Sequence, residues 1–344
     1  MNIKSLLIGS AAALAAVSGA QAADAIVAAE PEPLEYVRVC DAFGTGTSDW
    51  DSFTRTQFNI DTKTDTEVGA VRGFIEFRGD ADYDGASALN IQQAFIELGG
   101  LKVGKFYSWW DDSLSGETDY LNTQALFNSI RYVYDAGSFW AGVSVDELEG
   151  FGGLTRSGNV LVVPTAFPGS EPENNVGIAA GVGAKLAGVT LQLIGGYDVD
   201  REEGAVRLIG TADIGPGTLG LAGIYASGGS AYFNRSEWVV AAEYAIKATD
   251  KLTITPAAQY FGNVADAART NGPALAITNG TAISANSTTV RRGDEWSSRD
   301  AWTAGVTVDY KITDGLSTKV TANYYDEDGR GDQVTGFVRL QRNF

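Results

Sequence analysis

Trp238, Val240, Ala242, Tyr244 and Ile246 stand at every second place along one stretch, and Leu252, Ile254, Pro256, Ala258 and Tyr260 do so along the next, with the turn Ala248 to Lys251 between them. Apolar side chains at a period of two put one face of an extended chain against an apolar medium. A short turn between two such stretches makes them an antiparallel hairpin. The interleaved residues Val239, Ala241, Glu243, Ala245 and Lys247 are mostly polar or small, so the other face needs different surroundings. The pattern returns at Trp302, Ala304, Val306, Val308, Tyr310 and Ile312, the turn Thr313-Asp314-Gly315, and Leu316, Thr318, Val320, Ala322 and Tyr324. There Thr303, Gly305, Thr307, Asp309 and Lys311 form the wet face.

Further pairs lie at Val176 to Leu186 with Val189 to Tyr197, Val206 to Ile214 with Thr218 to Tyr225, Asn90 to Leu98 with Leu101 to Tyr107, and Ser129 to Tyr134 with Phe139 to Val145. From Asp51 onward this makes about fifteen segments, each near the ten residues that a tilted strand needs to cross a bilayer. Alternation alone suits a soluble sandwich as well as a membrane barrel. Two features favour the barrel. Trp and Tyr begin or end the apolar rows, as interfacial girdles do. The connections are also asymmetric: one set has two to four residues, while the other includes Ser108 to Asn128, Asp146 to Asn175 and Asn263 to Arg299, the arrangement of short periplasmic turns and long external loops.

The start of the chain is an address. Lys4, the apolar run Leu6 to Val17, and Ala20-Gln21-Ala22 read as an export signal over residues 1–22, so the mature chain of 23–344 begins at Ala23 as one barrel domain. The run is too short for a retained membrane helix, and no later stretch is apolar enough for one. A membrane location then requires a closed barrel, the other structure that satisfies all backbone groups in lipid. Forty-two glycines, 14 tyrosines and 15 phenylalanines beside 1 methionine and 8 prolines suit strands and tight turns. Ala28-Ala29-Glu30-Pro31-Glu32-Pro33 reads as an extended leader before the first strand.

Charge and missing residue types remove whole classes of function. Lys plus Arg number 25 against 43 Asp plus Glu, and loss of Lys4 takes the net charge from −18 to −19, which excludes nucleic acid as a partner because phosphate binding needs a basic face. Histidine is absent, so Ser-His and Cys-His catalysis is excluded and a zinc site would need carboxylates and one thiol. Cys40 has no partner for an intramolecular disulfide. Gly181-Val182-Gly183 starts like a dinucleotide fingerprint, yet Leu186 takes the third glycine's place inside a strand. Asp326-Glu327-Asp328-Gly329-Arg330-Gly331 differs from a calcium loop at Arg330 and at Phe337, where the bidentate Glu belongs. No catalytic residue, metal or cofactor is expected.

Three stretches carry a family resemblance: Met1 to Leu7 with Ala22-Ala23-Asp24-Ala25, Glu35-Tyr36-Val37-Arg38-Val39-Cys40-Asp41-Ala42, and the end Val338-Arg339-Leu340-Gln341-Arg342-Asn343-Phe344. They resemble the general porins of alphaproteobacteria. The resemblance implies a trimer of sixteen-stranded barrels in outer-membrane lipid and lipopolysaccharide, each pore narrowed by an inward-folded loop and passing ions and small hydrophilic solutes. The pattern departs after Cys40, where relatives carry a second cysteine and a first strand. Here the first strand is atypical or missing, with Tyr36 to Phe43 as a short replacement. Phe344, with Leu340 and Val338 on its face, resembles the ending read by the barrel-insertion machinery, and Arg342 interrupts that row at the water boundary.

Trp109 to Tyr120 occupies the place of the constriction loop, between the fourth and fifth strands of this count. Asp111, Asp112, Glu117 and Asp119 would face the lumen, opposed by Arg55, Arg72, Arg78 and Arg131, whose parity puts them on inward faces. The competing reading is an external acidic loop, with the arginines paired locally to Glu76 and Glu97. A substrate-specific channel would show a continuous run of inward aromatics, which the sequence does not display. A non-conducting structural or adhesive barrel would have its lumen filled by the long loops.

Overall fold

A computed structural model describes residues 27–41, 48–82, 88–123, 125–148, 155–157, 160–162, 175–265, 276–278, 281–283, 296–330 and 332–344. Its strands, in chain order, are β1 Val27–Asp41, β2 Ser48–Thr66, β3 Gly69–Asp82, β4 Ala88–Leu98, β5 Leu101–Tyr107, β6 Leu126–Asp135, β7 Phe139–Glu147, β8 Thr155–Ser157, β9 Val160–Val162 and β10 Val176–Leu186. They continue as β11 Val189–Asp198, β12 Glu203–Ile214, β13 Gly217–Ala226, β14 Ser236–Lys247, β15 Leu252–Val264, β16 Ala276–Thr278, β17 Thr281–Ile283, β18 Ala301–Thr313, β19 Leu316–Glu327 and β20 Gln333–Arg342. The pairs β8–β9 and β16–β17 are small separate hairpins inside two long connections. The other sixteen form one closed barrel, each strand beside its barrel neighbour in the chain and β1 beside β20. All pairings are antiparallel, and closure leaves no open edge to the sheet as a whole.

The first strand is neither missing nor short. Val27–Asp41 pairs with β2 from Val27↔Asp61 to Asp41↔Ser48 and with β20 from Leu34↔Gln341 to Cys40↔Thr335. It absorbs the stretch read as a leader, and it contains Tyr36 to Asp41 of the proposed replacement strand; Ala42 and Phe43 lie outside the described residues. Proline has no N–H to give to a ladder, and the β1–β2 register slips by one residue between Ala29 and Glu32, where Pro31 falls. With β1 present the strand count is even, which an all-antiparallel closure requires.

The expected faces hold. Val206, Leu208, Leu221 and Val240 point outward and are about half exposed, whereas Arg207, Val239 and Glu243 on alternate positions are buried inside. Outward rings pair near the long-loop end, Trp238 with Tyr260 at 5.3 Å and Trp302 with Tyr324 at 5.2 Å between centroids. At the short-turn end, Ala187 and Gly188 between β10 and β11 both have positive φ (38° and 88°), the twist that matches two-residue hairpin turns to right-twisted strands. Arg342 sits at this rim, donating to the carbonyl of Asp314 at 2.9 Å. Gly181 to Gly183 run inside β10, as read. Beside the turn that follows β19, Glu327 receives Arg299 and Arg330 and Asp326 receives the Trp302 indole.

Candidate functional site: the barrel interior

Loop 108–125 leaves the wall after β5, the fifth strand once β1 is counted. Ser108 caps a single 3-10 turn, Trp109–Asp111, by accepting from the Trp110 N–H. The two tryptophans then point to different neighbours. Trp109 stacks on Trp140 of β7 at 5.6 Å, with the Arg131 guanidinium 4.0 Å from its ring centre on another side. Trp110 enters a fully buried cluster with Leu121, Phe127, Leu148, Tyr232 and Phe233. Two of these, Tyr232 and Phe233, come from the connection between β13 and β14, so two loops and β6 share one apolar core inside the barrel. Space for it comes from glycine: a Cβ at Gly196 would stand 2.5 Å from Tyr232 Cγ and 2.8 Å from Trp110 Nε1. The Tyr232 hydroxyl donates to Asp146 at 2.7 Å, whose other oxygen receives the Ser129 and Ser144 hydroxyls at 2.6 and 2.5 Å.

Beyond the core the loop meets residues far away in sequence. Ser115 and Gly116 give their N–H groups to Glu243 of β14, both at 2.8 Å. Glu117 gives its N–H to Thr307 of β18 and takes Lys319 of β19 on its carboxylate at 2.9 Å, with Arg339 of β20 at 3.6 Å. The Thr118 hydroxyl donates to Asn323, and the Tyr120 N–H to Gln259. On the other side, Arg207 of β12 donates to the carbonyls of Trp109, Trp110, Asp112 and Leu121.

The acidic residues of the loop thus have different settings. Asp112 is exposed and takes the Gln192 amide on Oδ2 at 2.7 Å. Burial pushes the Asp111 carboxyl up to about 6, with the Asp112 carboxylate adding to the rise. Burial pushes Asp119 further, to about 7, and the nearby Glu243 and Glu117 carboxylates act in the same direction. One Asp119 oxygen receives the Leu121 N–H, and the other is buried without a partner.

The four arginines do not form one free basic wall. Arg55 clasps Asp80 at 2.7 Å, and Arg72 bridges Asp61 and Glu97 at 2.8 and 2.7 Å. Arg78 holds Glu76 at 2.9 Å and reaches the Tyr107 hydroxyl at 3.3 Å. The local pairing of Arg72 with Glu97 and of Arg78 with Glu76 is therefore present. Arg131 is buried at the root of the loop, between the Phe106 and Trp109 rings, and donates to the Tyr107 carbonyl.

Sequence reasoning missed three features. It gave no role to Arg207, which faces four backbone carbonyls. It placed Glu243 on the wet face without its loop partners. It saw no continuous inward aromatics, yet Phe74, Phe95 and Phe106 follow one another at 4.9 and 5.9 Å, and Trp109 and Trp140 extend the arc. Its central rings are covered by cations: Lys102 stands 4.2 Å from the Phe95 centre and Arg131 4.7 Å from that of Phe106. The signal was present as aromatic residues at inward parity, but they are spread over four strands and a loop.

A closed barrel with an apolar outer band, aromatic rows at its rims and a charged interior is an outer-membrane β-barrel channel. A model of the Porin subfamily matches residues 24–47 and 44–339, and the chain belongs to that family. Outer membrane protein IIIA of Rhizobium leguminosarum bv. viciae is 41% identical over 370 residues, which cover 98% of this chain and 93% of that protein. Porin Omp2b of Brucella suis is 32% identical over 291 residues, 69% of this chain and 78% of its own length. Among solved structures, the outer membrane channel DcaP of Acinetobacter baumannii superposes with a TM-score of 0.64 at 13% identity, covering 92% of this chain and 96% of that one. The trimer form of OmpT of Vibrio cholerae gives 0.55 at 14% identity, covering 92% and 100%. At such identities the likeness is one of fold. The protein is an outer-membrane porin, a channel and not an enzyme.

Proposed function

We propose that this porin is a trimeric channel for passive diffusion of ions and small hydrophilic solutes, set in outer-membrane lipid and lipopolysaccharide, and that loop 108–125 narrows its lumen. The observation that carries this reading is the reach of the loop: Ser115, Gly116 and Glu117 are bonded to β14, β18 and β19, more than a hundred residues away in sequence. A segment that ran outside the barrel would not meet these inward side chains. The packed cluster around Trp110 takes in buried residues of β6, β10–β15 and β18, so the passage is read on the opposite side, beside β2–β4. Along it stand the charges of Arg55, Arg72, Arg78, Asp61, Glu76 and Asp80 on one side, and Asp111, Asp112 and Glu117 on the other.

Because the arginines are already paired with acids, and Glu117 with Lys319 and Arg339, it is Asp111 and Asp112 that tilt the balance toward a mild cation preference, raising the local cation concentration in a narrow lumen. Replacing Asp111, Asp112, Glu117 and Asp119 together by their amides should keep the barrel and move the reversal potential toward anions. Replacing Arg72 and Arg78 by Gln removes two cations and frees Asp61, Glu97 and Glu76, so the potential should move toward cations. Reversal potentials that stay fixed in both variants would remove these residues from the narrow part of the pore. One observation favours a second reading, a substrate-specific channel: the arc of Phe74, Phe95, Phe106, Trp109 and Trp140 with its covering cations. Flux that saturates with solute concentration would select it.

A further inference from the structure

We propose that Arg207 and Glu243 are positioning residues that together clamp loop 108–125 by its backbone, so that pore width is set from the wall while selectivity is set by the loop's own side chains. This rests on the reading of the loop as the narrow part of the channel. Arg207 is 1% exposed, and Glu243 is 5% exposed. Buried charges are normally paired with opposite charges. Among the described residues neither makes an ion pair within 4 Å; the Asp112, Asp119 and Asp111 carboxylates act on Arg207 only from farther off, and the hydrogen bonds of both residues go to the loop.

One Arg207 nitrogen donates to the carbonyls of Asp112 at 2.6 Å, Leu121 at 3.2 Å and Trp110 at 3.4 Å, and the other donates to Trp109 at 2.5 Å. The guanidinium also lies 5.2 Å from the centre of the Trp110 ring. A planar fork of five N–H groups can gather carbonyls from two passes of a loop, which an ammonium cannot do at the same positions. Glu243 does the converse with amides: Oε1 accepts from the Ser115 N–H at 2.8 Å and its hydroxyl at 2.5 Å, and Oε2 accepts from the Gly116 N–H at 2.8 Å. The wall and loop are cut to fit. A Cβ at Gly220 would stand 2.9 Å from both Glu243 Cγ and Leu114 Cδ2, and one at Gly116 would stand 2.9 Å from Glu243 Oε2.

An irregular loop leaves many backbone groups without partners, and those taken from water must find them elsewhere. Two wall charges of opposite sign supply both kinds: a donor fork where carbonyls converge and a carboxylate where N–H groups converge. Charge-assisted bonds of this type are the stronger class. Since the clamp holds main-chain atoms, the carboxylates of Asp111 and Asp112, the latter on the Gln192 amide, set the charge of the passage while Arg207 and Glu243 set its width.

The test uses the full-length oligomer in planar bilayers, with Arg207→Gln and Glu243→Gln compared with the parent. The two substitutions change the lumen charge in opposite directions, so an electrostatic effect on ions moves their reversal potentials apart. Loss of the clamp moves conductance the same way in both: upward by roughly two-fold, as a wider pore conducts more, with more open-channel noise and a larger polymer cut-off. Gly116→Cys with Thr255→Cys tethers the loop to the wall, the Gly116 Cβ position lying 3.2 Å from Thr255 Cγ2. In a Cys40→Ser background this disulfide should bring both variants to the conductance of the parent carrying the same two cysteines, in which the added Cβ crowds Glu243 Oε2 equally, and a reductant should release them again. Arg207→Lys should fall between parent and Arg207→Gln.

Unchanged conductance, noise and cut-off in both variants would overturn the clamp, as would a formed disulfide that restores nothing. If Arg207→Gln fails to assemble, Glu243→Gln with its tether decides by the same criteria. A clamp that behaves as described while the loop amide variant keeps its reversal potential would refute the charge assignment and leave the clamp standing.

Discussion

Replacing Trp110 with alanine removes the largest fully buried side chain among the described residues, without touching any strand. Its ring lies 6.2 Å from that of Tyr232 and 6.3 Å from that of Phe233, and Arg207 covers it. Truncating a buried Trp to Ala costs about 3–5 kcal/mol when the cavity cannot collapse. Collapse is resisted here, because β10 and β11 fix the floor beneath the cluster. The ladder hydrogen bonds are untouched, so the loss falls on the seating of the two loops and not on the barrel. At 1.4 kcal/mol for each factor of ten, the displaced population should rise by roughly two to three and a half orders of magnitude. Single-channel recording reads this directly as added open-channel noise, a higher mean conductance and admission of larger polymers, while circular dichroism in detergent keeps its β-sheet form. A variant with the parent's noise, conductance and cut-off would refute the argument that this core seats the loop.

Gly196→Val should act in the same direction from the opposite cause, since its side chain would enter space held by Tyr232 and Trp110, an overpacking that costs roughly 1–3 kcal/mol. The carboxyls of Asp111 and Asp119, pushed up to about 6 and about 7, bind protons more tightly in the folded protein than in the unfolded chain. Seating of the loop should therefore strengthen as pH falls through 7 and 6 and weaken above, the reverse of a salt-bridged aspartate. The cation preference should decline over the same interval as the two charges are lost, and Asp119→Asn should remove the upper part of that dependence; a ratio of permeabilities that is flat from about pH 8 to about pH 5 would contradict both. Mass spectrometry of outer-membrane protein should find Ala23 as the first residue, and an intact Met1 would refute the reading of residues 1–22 as a signal.

The hairpins were legible because each strand states its own faces. Val240, Ala242 and Tyr244 alternate with Val239, Ala241 and Glu243 whatever the neighbours are, and the turns between them are marked by glycine or Asp. Only the second half of β1 was legible, as the stretch from Tyr36, because Ala28 to Pro33 lacks large alternating side chains and holds two prolines. Its pairing is supplied by β2 and β20, one of them at the far end of the chain. In the interior, the length of the connection after β5 and its acids singled out loop 108–125. What the loop touches did not follow, because Glu243 and Ser115 are 128 residues apart and parity gives only the side of the wall. Arg131 shows the limit of that inference: it does face inward, but Trp109 lies over it, and only the turn at Trp109–Asp111 decides that.

A barrel that conducts through a water-filled lane beside a folded-in loop has a definite size limit for what can enter it. Planar-bilayer recording of the purified protein with uncharged polymers of graded size measures that limit. Stepwise, ohmic openings are expected, with a conductance that falls with small polymers and is unaffected above a sharp size limit. Absence of conductance from correctly folded protein, or currents insensitive to polymers of every size, would contradict it.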